Sequence, residues 1–248
     1  MRYEHMSVTE RQTLPPAVAV STVAFALRPP GTAAQGGLPA ASPDARGAPR
    51  LWIPLVRRTR MPFQGLWALP GGPTQWDQTL TDTALLTLEA AVQSVPGYLE
   101  QLYSFGAVER SAAAQRLVTI AYWALYGESE LDADSVGGEP DSNVAWFPVD
   151  ALPPLAFDHG EIVAHALERL RSKTEYAAVA HRFLGATFTL ARLRAVHEAV
   201  TGKHVDPANF RRQSLATGHL VDTGEVEAGA AHRPARLYRF AADSAAAD

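Results

Sequence analysis

A chain of 248 residues, 47% apolar and 19% charged, is long enough for one large domain or two modest ones and apolar enough to bury a core. It has no cysteine, which excludes disulfides, thiolate metal sites and a cysteine nucleophile, and no apolar run long enough to span a membrane, which takes about 18 residues. The net charge of -4 is unevenly spread: residues 181–240 hold nine Lys/Arg against five acids, a local +4 that points to a polyanion-binding segment.

In chain order, the opening "MRYEHMSVTE" is polar and mixed in charge and carries no signal-peptide pattern, so a cytoplasmic protein is expected. "AVAVSTVAFAL", 17–27, is β-branched and predicts a buried strand. Residues 28–50 are Pro, Gly and Ala without period and predict a long mobile loop. "LWIPLVRRT", 51–59, predicts a second strand, followed by a loop that ends in the tight turn of Gly71 and Gly72. "LTDTALLTLEAAVQSV", 80–95, has helical spacing, with Thr81 or Asp82 as cap and Pro96-Gly97 as stop. Strands are expected at 100–109 and 116–126, then an acidic Gly-rich loop at 127–143 and a short strand and turn at 144–153. A helix is expected over 159–177, opened by an Asp158-His159 pair read as an N-cap arrangement.

Beyond that helix the pattern changes. "TFTLARLRAVHEAVTG", 187–202, is an amphipathic helix with Thr189 as N-cap and Gly202 as stop. Asp206-Pro207 is an N-cap followed by Pro at the first helical position, and it opens a short helix ending near Gly218. Two strands joined by a Gly/Ala loop follow. Helix, turn, helix and hairpin form the winged helix-turn-helix order. The expected organisation is an α+β unit over 1–158, a linker helix over 159–180, a winged unit over 181–240 and a disordered tail over 241–248.

On the second short helix, Asn209, Arg211, Arg212 and Gln213 stand where a reading helix meets base edges. One of the two adjacent arginines is expected to reach bases and the other a phosphate, while Phe210 and Leu215 belong to the core. Lys203 and His204 in the turn, and His232, Arg233 and Arg236 in the wing, suit backbone or minor-groove contact. Arg57 and Arg58, at a strand end, are candidates for a phosphate-bearing ligand, because guanidinium binds phosphate bidentately without a metal. Arg60, Phe63, Trp67, Arg116 and Glu109 are further ligand candidates. Glu109 and Arg116 are expected on facing strands.

"RRTRMPFQGLWALPGG", followed by a capped helix, resembles the Nudix hydrolase domain. That family's box runs Gly, five residues, Glu, seven residues, then Arg-Glu-apolar-any-Glu-Glu-any-Gly. Laid from Gly72, the first Glu falls on Gln78, the Arg-Glu pair on Leu86 and Thr87, the Glu-Glu pair on Ala90 and Ala91, and the Gly on Gln93. The apolar Leu88 survives, as do the preceding Trp67, Ala68, Leu69, Pro70, Gly71 and Gly72. The family's chemistry depends on divalent cations held by carboxylates. Glu89 remains, but on a helix it points about 100° away from Ala90. The C-terminal stretch 188–240 resembles the winged helix of the Nudix-related regulators of NAD metabolism, the NrtR family. It does so through Phe188-Thr189-Leu190, Val196 to Val200, Asn209-Phe210-Arg211-Arg212 and Arg233 to Tyr238. "LAFDHGEIVAHALERLR", 155–171, resembles that family's junction.

The resemblance implies an α+β protein in which a Nudix-like α/β/α sandwich is followed by a C-terminal winged helix-turn-helix. It further implies a homodimeric repressor of NAD biosynthesis or salvage genes, bound to a palindromic double-stranded DNA operator. The implied effector is ADP-ribose or NAD, with no catalytic residue, no metal and no cofactor. Two other readings stand beside it: an active Nudix hydrolase of ADP-ribose or nucleotides, and a metabolite-binding scaffold that uses its winged helix for protein contact.

Overall fold

The computed structural model describes residues 13–27, 49–111, 115–131, 143–176, 179–227 and 234–241. Most of the predicted 28–50 loop, the acidic loop after residue 131, the wing tip and residues 242–248 lie outside them. Strand β1 (Ala17–Phe25) pairs in parallel with β6 (Leu117–Leu125), and β5 (Tyr98–Phe105) flanks β6 antiparallel. The short β4 (Gly71–Pro73) completes this sheet on the other side of β1, in the order β4-β1-β6-β5. A second sheet of three strands runs β3 (Trp67–Ala68), β2 (Trp52–Arg57), β7 (Val144–Pro148), and a bridge between Ala26 and Trp52 joins it to the first.

Alternation along β1 decides what covers each face. Ala24 and Ala26 pack with Leu88 and Val92 of helix α1 (Leu80–Val92). Val23 and Phe25 point the other way and join Ile162, Ala166 and Leu170 of helix α2 (His159–Tyr176). The result is a helix, sheet, helix sandwich. The same buried cluster continues without a break through Phe183, Phe188, Leu193, Val196 and Val200 to Phe210. Thus the C-terminal elements share a core with α2 instead of hanging from a bare tether.

Those elements are β8 (Phe188–Thr189), α3 (Leu190–Thr201), α4 (Pro207–Ala216), β9 (Leu220–Val226) and β10 (Arg236–Phe240), with strand order β8-β10-β9. Thr189 caps α3 through Arg192 N–H, and Gly202 ends it in the left-handed region at φ 69°. No helix among the described residues is long and apolar enough to cross a membrane.

Several boundaries differ from expectation. Helix α1 is capped earlier than expected: Thr79 is the N-cap, and Asp82 returns its carboxylate to Thr79 N–H in a capping box, so Thr81 and Asp82 lie inside the first turn and neither is the cap. Gly71 and Gly72 form a strand and not a tight turn. A Cβ on Gly71 would lie 2.2 Å from the Val20 carbonyl oxygen, so the glycine is needed for close approach to β1. Helix α1 ends at Gln93, three residues before the expected Pro96 stop, with φ 57°. A side chain in that region costs about 1 kcal/mol relative to glycine. Gln93→Gly is therefore expected to raise the urea unfolding free energy by somewhat under ~1 kcal/mol, after the entropy glycine adds to the unfolded chain.

Candidate functional site

A cavity of about 1280 Å³ opens between β1, β4, the end of β5 and the start of α2. Its size exceeds the ~300–1,000 Å³ of common small-molecule sites. Of the sequence-predicted ligand residues, Arg58, Phe63 and Glu109 border it. Arg58 leaves the end of β2, and its guanidinium lies 4.6 Å from the centre of the Phe157 ring while its Nε donates to the Pro62 carbonyl at 2.8 Å. Burial draws the Arg58 pKa below its ordinary value. The charge is retained, because guanidinium does not deprotonate in proteins. Phe63 meets Phe157 edge to face at 4.8 Å, and both hold left-handed backbone, φ 65° and 56°. Two strained residues in contact at a cavity mouth mark a position that the surrounding structure enforces.

Arg57, Trp67 and Arg116 are not brought to this cavity. Arg57 turns outward and donates to the Gly65 carbonyl at 3.2 Å. Trp67 packs edge-on against Phe147 at 4.9 Å, in the core beneath the loop. Arg116 is consumed by the Gly106 carbonyl. Arg60 is exposed outside the lining, and Glu109 sits on a 3₁₀ turn, Val108–Ser111, not on a strand facing Arg116.

The cavity is completed by residues that the sequence reading assigned elsewhere or missed. Arg110 is almost buried and ion-paired with Asp158, Nη2 to Oδ1 at 2.8 Å. The Asp158 side chain is thus committed to Arg110; at the start of α2 only its backbone carbonyl accepts, from Glu161 N–H at 2.9 Å. His159, 8% exposed, accepts the Leu69 N–H on Nδ1 at 2.9 Å. Tyr103 stacks on His165 with planes 6° apart. The only sequence signal for this group was the "FDH" run itself, because Arg110 and Asp158 are 48 positions apart.

Of the box positions only Gly72, the first glycine, borders the cavity; none of the positions that would carry a charge does. Thr87 spends its hydroxyl on the Thr83 carbonyl at 2.8 Å. Gln78 accepts from Thr83, Leu86 and Ala90 face solvent, and Ala91 sits against the α1 core. This set offers no anionic oxygen, so it does not fit the hard divalent cation that the fold implies.

At the other end of the molecule, Asp206 caps α4 through Asn209 N–H at 2.8 Å, with Pro207 at the first helical position. The turn before it is tied by Glu198, which accepts from Val205 N–H at 2.8 Å and pairs with Arg194 at 3.1 Å and His204 at 3.0 Å. Arg211, Arg212 and Gln213 are exposed on the first turns of α4, and Arg212 Nη2 donates to Asn209 Oδ1 at 2.7 Å. Lys203 is exposed on the turn. Arg236 pairs with Asp222 across the wing strands at 2.6 Å. His232 and Arg233 lie outside the described residues. Phe210 is buried as expected, but Leu215 is 40% exposed, on the same open face as the arginines. An α-helix anchored by Phe210, with three exposed guanidinium or amide side chains on its first turns, can enter a major groove.

Residues 180–240 match the NrtR DNA-binding winged helix domain family. The ADPR responsive transcriptional repressor NtrR of Acinetobacter baylyi is 32% identical over 194 residues, 77% of this chain and 76% of that one. The crystal structure of Shewanella oneidensis NrtR is 33% identical, with a TM-score of 0.74 over 93% of this chain and 96% of that one. The same Shewanella protein complexed with a 27mer DNA gives a TM-score of 0.72 and 33% identity over 90% of this chain and 93% of that one. With a relative of this identity aligned over three quarters of both chains, and the same two-part architecture in solved structures, the chain belongs to the NrtR family.

Proposed function

We propose that this protein is a transcriptional repressor that senses ADP-ribose in its Nudix-like half and binds operator DNA through its winged helix. The observation that carries this reading is the pairing of a large, arginine-bearing cavity with an exposed reading helix, joined by α2. That helix has 18 residues, a span of about 27 Å. Its first turns border the cavity through His159, Glu161 and His165. Toward its other end Arg169 and Lys173 hold Glu100 of β5, and Arg171 Nε donates to the Val200 carbonyl of α3 at 3.2 Å. Ligand contacts at one end therefore bear on the helix that carries the DNA module. The relative's name, ADPR responsive repressor, and the Shewanella protein's complex with DNA support the two halves separately.

The finer parts of the reading are a homodimer on a palindromic operator, NAD-synthesis or salvage genes as targets, a cytoplasmic location and no hydrolase activity. The last follows from the stripped box: without carboxylates to hold cations, phosphate charge is not neutralised and water is not activated. An effector shifts DNA binding only by the ratio of its affinities for the two arrangements, and typical couplings are about 5- to 150-fold.

The test is fluorescence anisotropy with the gene's own upstream DNA, with and without ADP-ribose and NAD, alongside a magnesium-supplemented ADP-ribose hydrolysis assay. ADP-ribose is expected to move the operator affinity within that range while remaining intact. Multiple turnovers of ADP-ribose would restore the hydrolase reading, and no DNA binding at all would leave a scaffold.

A further inference from the structure

His159 borders the cavity although it is almost fully buried. Its Nδ1 accepts a hydrogen bond from the Leu69 main chain. A backbone N–H can only donate, so Nδ1 must present a lone pair, and the proton of the neutral ring must sit on Nε2. The tautomer is thus set by heavy-atom geometry. Burial keeps the ring neutral by pulling its pKa down to about 4, and the nearby Arg110 and Arg58 charges pull in the same direction while Asp158 opposes them. Among the described residues no protein oxygen takes the Nε2–H. In this state the ring can be neither a general base nor a metal ligand: one nitrogen's lone pair is engaged and the other nitrogen carries the proton.

The surroundings say what such a donor meets. Arg58 lies over Phe157, whose ring centre is 5.4 Å from that of His159, and Arg110 is held from the other side by Asp158. Two guanidinium groups line the same cavity as this neutral N–H, and an oxygen carrying negative charge is the acceptor such a field favours. The acids Glu109, Asp158 and Glu161 also border the cavity, and Asp158 offsets the charge of Arg110, so the anion-favouring region is the part lined by Arg58 and His159.

We propose that His159 is a specificity-determining donor, a fixed neutral Nε2–H that hydrogen-bonds a phosphate oxygen of the bound effector. The proposal rests on the cavity being the effector site. It also gives the loop and helix a common pin, because the same ring holds Leu69, beside β4, against the first turn of α2.

Two substitutions separate the donor from the pin. His159→Asn places an amide oxygen near the Nδ1 position, so Leu69 keeps its acceptor while the Nε2–H is lost. His159→Gln places an amide N–H near the Nε2 position and gives up the Leu69 bond. Folding of each is checked by circular dichroism at neutral pH. Calorimetric titration with ADP-ribose and with inorganic pyrophosphate is expected to show the Asn variant roughly 10- to 100-fold weaker for both, a loss typical of a hydrogen bond to a charged acceptor. The Gln variant should recover most of that loss. Undiminished binding by the Asn variant, or equal weakening of both variants, overturns the donor role in favour of the structural pin. If pyrophosphate binds with this rank order but ADP-ribose does not bind the unmodified protein, the donor stands and the effector assignment fails. If neither ligand binds the unmodified protein, both fall.

Discussion

Operator affinity is expected to fall by roughly 100-fold or more when Arg211 and Arg212 are both replaced by alanine, since each specific contact of this kind is worth about 1–3 kcal/mol. The two single variants should differ in kind. Arg212 is oriented by Asn209 Oδ1 at 2.7 Å, and a guanidinium held in this way at the start of a reading helix is preorganised to meet a base edge. Arg212→Ala should therefore weaken binding at one base position while leaving the salt dependence nearly unchanged. Arg211 lies nearer the wing, where its charge helps to hold Asp222 below the usual carboxylate range, behind the larger effects of the Gly224 N–H and Arg236. Arg211→Ala should weaken all sequences alike and lower the slope of log affinity against log salt by about 1. Both side chains are exposed, so the fold should tolerate either change within ~0.5 kcal/mol. The same charge change at Arg50, which pairs with Asp150 at 2.6 Å beside β2 and β7, is the control and should leave operator binding unaltered. A double variant that binds the operator normally would remove α4 as the reading helix.

The winged half was legible in the sequence because its signals are local. Thr189, Gly202, Asp206 and Pro207 each act within one helical turn, and the structure places all four where capping chemistry predicts. The cavity was only partly legible because its chemistry is non-local. Arg58 could be picked out as a cation beside the box loop, but Arg57 next to it points the other way, and only the register of β2 with β3 and β7 decides which of the two faces inward. Trp67 looks as fit to stack on a base as Phe63 does; the difference is that Trp67 is packed edge to face with Phe147, far along the chain, and lies outside the cavity lining. Asp158 reads as a cap until Arg110 is seen to claim its carboxylate. Leu215 fits an apolar stripe, yet α4 is short and covers the core with Phe210 alone. In each case a local pattern allows two roles, and the partner that decides between them comes from a distant element.

Acid should weaken this protein before its carboxylates titrate, and His159 is the reason. In the unfolded chain the imidazole takes up a proton as the pH falls through about 6.5. In the folded protein burial postpones that protonation to about pH 4. Between those values the unfolded state binds the extra proton, so stability rises with pH across the window. The His159 contribution is complete above about pH 6.5, declines at up to ~1.4 kcal/mol per pH unit below it, and amounts to about 3 kcal/mol once the folded ring titrates. Urea unfolding of the unmodified protein and of His159→Asn at pH 7.5, 6.5, 5.5 and 5.0 isolates the effect, because most carboxylates stay ionised there and the amide does not titrate. The difference between the two unfolding free energies should shrink steadily below pH 6.5. A constant difference across that range would mean that the ring is solvated or already protonated in the folded state, and would overturn this account. Protonation must put the ring's second N–H hydrogen on Nδ1, where it meets the Leu69 N–H head-on, so the bond that pins Leu69 to α2 has to break. Because Leu69, Gly71 and Gly72 all border the cavity, acid should loosen the effector site in the same pH window in which stability declines.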